Sequence, residues 1–148
     1  MTTIREAVPT DVASAVGMVT RFLSSPPYNS LIEFDEMALV NSMSALIGGS
    51  DSVVFVAELD GRMVGVLGLR TYVHPVSGHT VCGEIFWWVD PAFRGMTGLR
   101  LLKVGEAWAT ERGARTLFMI APTDDIEKLY SALKYKKVEV SYKKELWS

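Results

Sequence analysis

The chain has 148 residues, 49% hydrophobic and 22% charged, with 15 basic against 17 acidic side chains and a formal charge of -2 at pH 7. That length predicts one domain, residues 1–148, able to bury a core without disulfides or structural metal, and the charge balance provides no global positive field for nucleic acid. A single cysteine, Cys82, excludes an internal disulfide framework and a thiolate-rich zinc site. The longest uncharged apolar run, residues 63–69, is far short of the ~20 residues of a membrane helix, and early charge at Arg5 and Glu6 leaves no leader-like segment. The expectation is a soluble cytoplasmic domain without metal, membrane or nucleic-acid partners.

Residues 3–7 read as a first strand. Pro9, Thr10 and Asp11 then open a helix in which Val12, Ala15, Val16, Val19 and Leu23 recur at helical spacing, and Pro26 and Pro27 stop it. A second helix is predicted over 34–47, with Leu39, Met43, Leu46 and Ile47 on one side and Gly48-Gly49 at its end. Residues 53–59 and 63–72 form a hairpin across Asp60-Gly61, a dipeptide that tolerates the positive φ of a tight turn. A loop with Pro75 and Gly78 leads to a strand over 81–89, and a helix follows over 99–112 with Leu101, Val104 and Trp108 inward. Residues 116–121 make a strand. Thr123 caps a helix whose Ile126, Leu129, Tyr130 and Leu133 share one stripe, and residues 138–146 alternate as a final strand. The order β-α-α-β-β-β-α-β-α-β predicts a mixed α/β sheet, hairpin-rich early and crossover-linked later, with helices on both faces.

The segment that carries chemistry is Val89-Asp90-Pro91-Ala92-Phe93-Arg94-Gly95-Met96-Thr97-Gly98-Leu99. A strand runs into a glycine-bearing turn and then a helix N-terminus, whose first amides lack intrahelical partners and sit at the positive end of the dipole. Such a turn takes anions, phosphate above all; Arg94 adds a forked positive charge, and the glycines permit close backbone approach and positive φ. The spacing matches neither Gly-x-Gly-x-x-Gly nor a Walker A loop. On these residues alone an anion site and an ordinary βα loop stand about level.

Through this segment and three others, the sequence resembles the GNAT superfamily of acyl-CoA-dependent N-acetyltransferases. The matching pieces are Val89 to Gly95 after a strand, Leu129-Tyr130-Ser131-Ala132-Leu133-Lys134-Tyr135 near the C-terminus, the opening Ile4-Arg5-Glu6-Ala7 with Pro9-Thr10-Asp11, and the hairpin around Asp60-Gly61. They cover essentially the whole chain in the family's order. The phosphate loop departs by one deleted residue, which aligns Gly98 with the family's last glycine. Lys134 and Tyr135 stand where the family has Gly and Phe.

The resemblance implies a GNAT-like sheet and acetyl-CoA as cofactor, with CoA as product. The backbone at Trp88 and Val89 would lie beside the pantetheine arm, and amides of Arg94, Gly95, Met96, Thr97, Gly98 and Leu99 would hold the pyrophosphate. Tyr130 matches the tyrosine that protonates the departing thiolate; it also fits a plain core stripe. An amine with a pKa of about 10.4 must lose a proton before attacking a thioester. Glu84 is the base expected, on a strand face shared with Cys82, Phe86 and Trp88 whose apolar setting raises a carboxyl pKa; the bland alternative is a solvated carboxylate. Pro27, Tyr28 and Asn29 lie where relatives build part of the acceptor site, with a plain loop as the equal alternative; the resemblance implies a primary amine as acceptor, and dimers are common among such proteins.

Other residues rank lower. His74, His79 and Cys82 sketch a metal triad without a fourth ligand, and Cys82 as nucleophile competes with a small core residue. Trp87 and Trp88 read as packing on opposite sheet faces, with one lining an acceptor pocket as the alternative. Lys134, Lys136, Lys137, Lys143 and Lys144 form a basic C-terminal end that reads as a solvated strand and turn, with contact to a CoA phosphate as the alternative. Against the enzyme stands a second reading, a non-catalytic GNAT-like module for CoA binding or interaction.

Overall fold

The computed structural model describes residues 1–147. Strands β1 (Thr3–Glu6), β2 (Ser52–Leu59), β3 (Arg62–Val73), β4 (Thr80–Val89) and β5 (Leu117–Phe118) form one sheet in sequence order, and helices α1 (Val12–Leu23), α2 (Glu36–Gly48), α3 (Met96–Glu111) and α4 (Asp124–Ala132) complete the fold. The β1–β4 pairs are antiparallel and the β4–β5 pair is parallel, as the α3 crossover requires. The mixed sheet with helices on both faces is the arrangement expected from the sequence.

Alternation along the strands builds two cores. Val54, Val56, Val66 and Phe86 pack with Ala15, Met18, Val19 and Phe22 of α1 and Met43 and Leu46 of α2. Val53, Phe55, Ala57, Leu67, Leu69 and Cys82 pack on the other face with Leu101, Trp108 and Ala109 of α3. Asp60 and Gly61 both have positive φ, 52° and 74°, the pattern of a type I′ hairpin turn. Gly105 lets α3 approach the sheet, since a Cβ there would lie 2.7 Å from Leu67 Cδ2.

A bulge in β4 decides which side chains reach which face. Gly68 pairs with Phe86 and Leu69 with Glu84, so Ile85 is an extra residue and stands exposed. The Phe86 ring covers Gly68, where a Cβ would meet it at 2.6 Å. The extra residue resets the alternation. Cys82 and Glu84 face the α3 side, whereas Phe86 and Trp88 face α1 and α2, so the expected common face for these four residues is corrected.

Four boundaries also change. Asp35 caps α2 by accepting the Ala38 amide at 2.8 Å, so that helix starts after residue 34. Helix α3 starts at Met96 rather than Leu99, because Gly95 supplies the turn into it. Strand β5 is two residues long instead of spanning 116–121. The final strand expected over 138–146 does not form: the segment pairs with no strand, and Val138, Val140, Tyr142 and Leu146 are exposed. Alternation marks a segment able to pair, but a ladder needs an edge of matching length, and β5 offers two residues.

Candidate active site

Strands β4 and β5 pair only through Cys82 with Leu117 and Gly83 with Phe118. Beyond Gly83 they part, and two side chains hold the point of divergence. Glu84 Oε1 accepts the Ile120 amide at 3.0 Å, and the Tyr130 hydroxyl donates to the Ile120 carbonyl at 2.9 Å. The same hydroxyl lies 3.5 Å from Glu84 Oε1. Burial pushes the Glu84 carboxyl up to about 7, with the Ile120 amide and Tyr130 hydroxyl pulling partly back. Burial, then the Glu84 charge, pushes the Tyr130 phenol far above its usual value. A carboxyl that titrates near neutrality thus stands beside a phenol that keeps its proton, which is the division of labour general acid–base chemistry needs.

The loop after α1 reaches toward this point through aromatic rings. Tyr28 meets Phe22 edge-on at 4.9 Å, and Phe22 stacks on Trp88 at 5.4 Å. Burial raises the Tyr28 phenol, and the Glu84 charge raises it further, so the loop tyrosine lies within electrostatic reach of Glu84. Pro27 precedes the short 3₁₀ turn that carries Tyr28 and Asn29. The Arg94 guanidinium covers Trp88 at 4.5 Å, while its Nε donates to the Val89 carbonyl at 2.9 Å. Asp90, buried, accepts from Arg21 Nε and Nη2 at 3.0 Å each and from Trp88 Nε1 at 3.2 Å. That pair ties α1 to the end of β4. Sequence reading assigns Asp90 no role; its place at the strand end beside Pro91 is a weak signal, and Arg21, far off in sequence, carries none.

The start of α3 is the turn that the sequence offers to an anion. Gly95 holds φ 108° and ψ -120°, which side chains rarely adopt, and no side chain caps the helix. The amides of Gly95, Met96, Thr97 and Gly98 have no helical partner, whereas Leu99 is the first to enter the ladder. Gly98 lies inside the first turn without positive φ, so the freedom expected of both glycines is needed only at Gly95. The Thr97 hydroxyl turns to Thr2 at 3.3 Å and leaves only its amide at the turn. Arg94 is bent back over the strand by its Val89 and Trp88 contacts.

The remaining residues take structural positions. His74 Nδ1 accepts from the Val76 and Ser77 amides at 3.3 Å, and His79 Nε2 lies 3.0 Å from Arg115. Cys82 is fully buried, and burial pushes its thiol up to about 11, which does not suit a nucleophile. Among the described residues no cluster of three His, Cys, Asp or Glu is placed as a metal centre would be, and no helix is long and apolar enough to cross a membrane. At the basic end, Lys137 pairs with Glu127 at 3.2 Å and Lys143 with Glu145 at 2.6 Å.

Comparison with known proteins adds family and fold. The sequence model described as the acetyltransferase (GNAT) family matches residues 19–134. A transcriptional regulator from Bacillus halodurans C-125 superposes with TM-score 0.81 at 19% identity, covering 99% of this chain and 100% of that one. A ribosomal-protein-alanine N-acetyltransferase from Brucella melitensis biovar Abortus 2308 gives TM-score 0.76 at 20% identity, over 98% and 99%. Aminoglycoside N-acetyltransferase AAC(6')-Iy in complex with CoA gives 0.79 at 19% identity, over 99% and 96%. At these identities the likeness establishes the fold. No match was found among curated proteins.

Proposed function

The chain belongs to the acetyltransferase (GNAT) family, and we propose that it transfers an acetyl group from acetyl-CoA to a primary amine by direct attack in a ternary complex. The observation that carries this reading is the meeting of Glu84 and Tyr130 at the opening between β4 and β5. The chain's residues fit the cofactor. The first turn of α3 presents amides uncapped by any side chain, and Trp87 Nε1 is a buried donor without a partner beside it.

When bound, acetyl-CoA supplies an activated acetyl group on a thiolate leaving group. The amides of Gly95, Met96, Thr97 and Gly98 would hold its pyrophosphate, and the backbone at Trp88 and Val89 would line its arm. Pro27, Tyr28 and Asn29 line the acceptor side, and the Tyr28–Phe22–Trp88 stack fixes that loop against β4. Glu84, half-ionised near neutrality, accepts a proton from the amine, directly or through water. Tyr130, whose raised pKa keeps it protonated, would supply the proton that the thiolate takes up on leaving. A neighbouring carboxyl and phenol with pKa values pushed to different tasks are better matched to catalysis than to a solvated surface pair.

The test is thiol release from acetyl-CoA in the presence of polyamines, aminoglycosides, amino acids and peptides with free N-termini, with acetylated product identified by mass. Amine-dependent release supports the reading. CoA binding without transfer to any of these amines favours the non-catalytic module instead.

A further inference from the structure

Among the described residues, Trp87 Nε1 is the buried side-chain nitrogen or oxygen that finds no hydrogen-bond partner. Buried donors are nearly always paired, so an indole N–H left alone calls for an acceptor from elsewhere. Its surroundings define that acceptor. Trp87 lies on β4 opposite Leu67, beyond the last residues paired with β5, and faces the α3 side of the sheet. Its Cζ2, on the nitrogen-bearing edge of the indole, is 3.6 Å from the position a Cβ on Gly98 would take. On its other side the ring stacks with Tyr130, centroids 6.0 Å apart at 28°. The ring therefore lies between the Gly98 end of α3 and the Tyr130 ring, whose hydroxyl donates to the Ile120 carbonyl.

We propose that Trp87 Nε1 is a hydrogen-bond donor to an amide carbonyl of the pantetheine arm, fixing that arm between the anion site at Gly95 and the acid at Tyr130. The inference rests on the acetyl-CoA reading. A neutral donor packed against the apolar core on the α3 side of the sheet matches a neutral carbonyl, and a phosphate there would lose its hydration without a compensating charge. The α3 amides, with the helix dipole behind them, are the better partners for phosphate. Trp87 is thus a positioning residue, set by packing against α3 and Tyr130.

Indole nitrogen-labelled protein carries four reporters, Trp87, Trp88, Trp108 and Trp147, and Trp87→Phe assigns the first. Two probes separate the parts of the cofactor: CoA, and adenosine 3′,5′-bisphosphate, which lacks the arm. CoA is expected to move the Trp87 indole proton downfield and slow its exchange with solvent, while the bisphosphate leaves it in place. Trp87→Phe, which keeps an aromatic ring, is expected to weaken CoA about tenfold and the bisphosphate not at all. A Trp87 resonance unmoved while CoA binds overturns the proposal, as does an equal shift with bisphosphate alone or an unaltered CoA affinity in Trp87→Phe. Should the variant fail to fold, the wild-type resonances decide alone. If CoA binds nowhere on the folded protein, the acetyl-CoA reading itself fails, and this inference with it.

Discussion

Glu84 and Tyr130 meet on the backbone of a third residue: the carboxylate accepts from the Ile120 amide at 3.0 Å, and the phenol donates a hydrogen bond to the Ile120 carbonyl at 2.9 Å. Both groups of that residue would otherwise stand unpaired where β4 and β5 separate. The two side chains therefore brace the opening and carry the proposed chemistry at once, and conservative substitutions separate the roles.

Tyr130→Phe keeps the ring against Trp87 and Tyr135 and removes only the hydroxyl. Losing the Ile120 bond is expected to lower unfolding stability by about 1 kcal/mol. If the hydroxyl protonates the leaving thiolate, kcat falls by roughly 10²–10⁴ with KM for acetyl-CoA little changed. Urea unfolding and steady-state kinetics read the two effects. Full activity would leave the phenol as a brace alone.

Glu84→Gln keeps an acceptor for Ile120 and removes the charge. The folded carboxyl lies at about 7 against an ordinary 4.5, so its contribution to stability is fully present below 4.5 and is lost as pH rises through 7. The variant is expected to be more stable than wild type at pH 8, by up to about 3 kcal/mol, with the difference vanishing in acid. Activity should move the other way: the kcat/KM defect is largest on the acidic limb and shrinks as the amine deprotonates itself. Denaturation and kcat/KM measured against pH test both. A variant profile parallel to wild type would remove Glu84 from the chemistry.

The proposed phosphate contact would depend on Gly95 rather than Gly98. A Cβ at Gly95 meets nothing within 4 Å, but its φ of 108° strains any side chain; at Gly98 a Cβ makes ordinary contacts at 3.6 and 3.7 Å with Trp87 and Val89. Gly95→Ala is expected to weaken CoA at least about tenfold by displacing the first amides of α3, and Gly98→Ala by less than about threefold. Isothermal titration on the folded variants distinguishes them, and the reverse order would relocate the phosphate.

Asp90 anchors the other side. Burial alone would raise its carboxyl, but the Arg21 and Trp88 hydrogen bonds outweigh it and hold the pKa below the usual carboxylate range. That stabilisation is present above the ordinary value and is lost as pH falls through the lowered one. Asp90→Asn is expected to cost about 1–3 kcal/mol at neutral pH and little in strong acid. Equal losses at both would show that the charge does not matter.

Much of the fold is legible in the sequence because it is local. The Asp60-Gly61 turn, the Thr123 cap and the stripe holding Tyr130 each follow from residues a few positions apart, and the motifs around Arg94 and Tyr130 lead to the family. The face of Glu84 is not legible, because nothing in the run from Glu84 to Trp88 marks Ile85 as an extra residue. The signal lies across the sheet, in Gly68, a strand-interior glycine of the kind that accompanies bulges and close approach. The 138–146 segment misleads for the opposite reason: its alternation is real, but pairing depends on an edge that the local pattern does not describe. Trp87 reads as packing or pocket lining, and only its neighbours in space show that its N–H lacks a partner.

Thermal unfolding with and without acetyl-CoA tests the central claim most directly. A ligand at 100 times its dissociation constant stabilises the folded state by about 2.7 kcal/mol, which for a chain of this size raises Tm by roughly 5–10 °C. The account predicts that shift with acetyl-CoA, reduced in Gly95→Ala. An unchanged Tm at millimolar acetyl-CoA would contradict it.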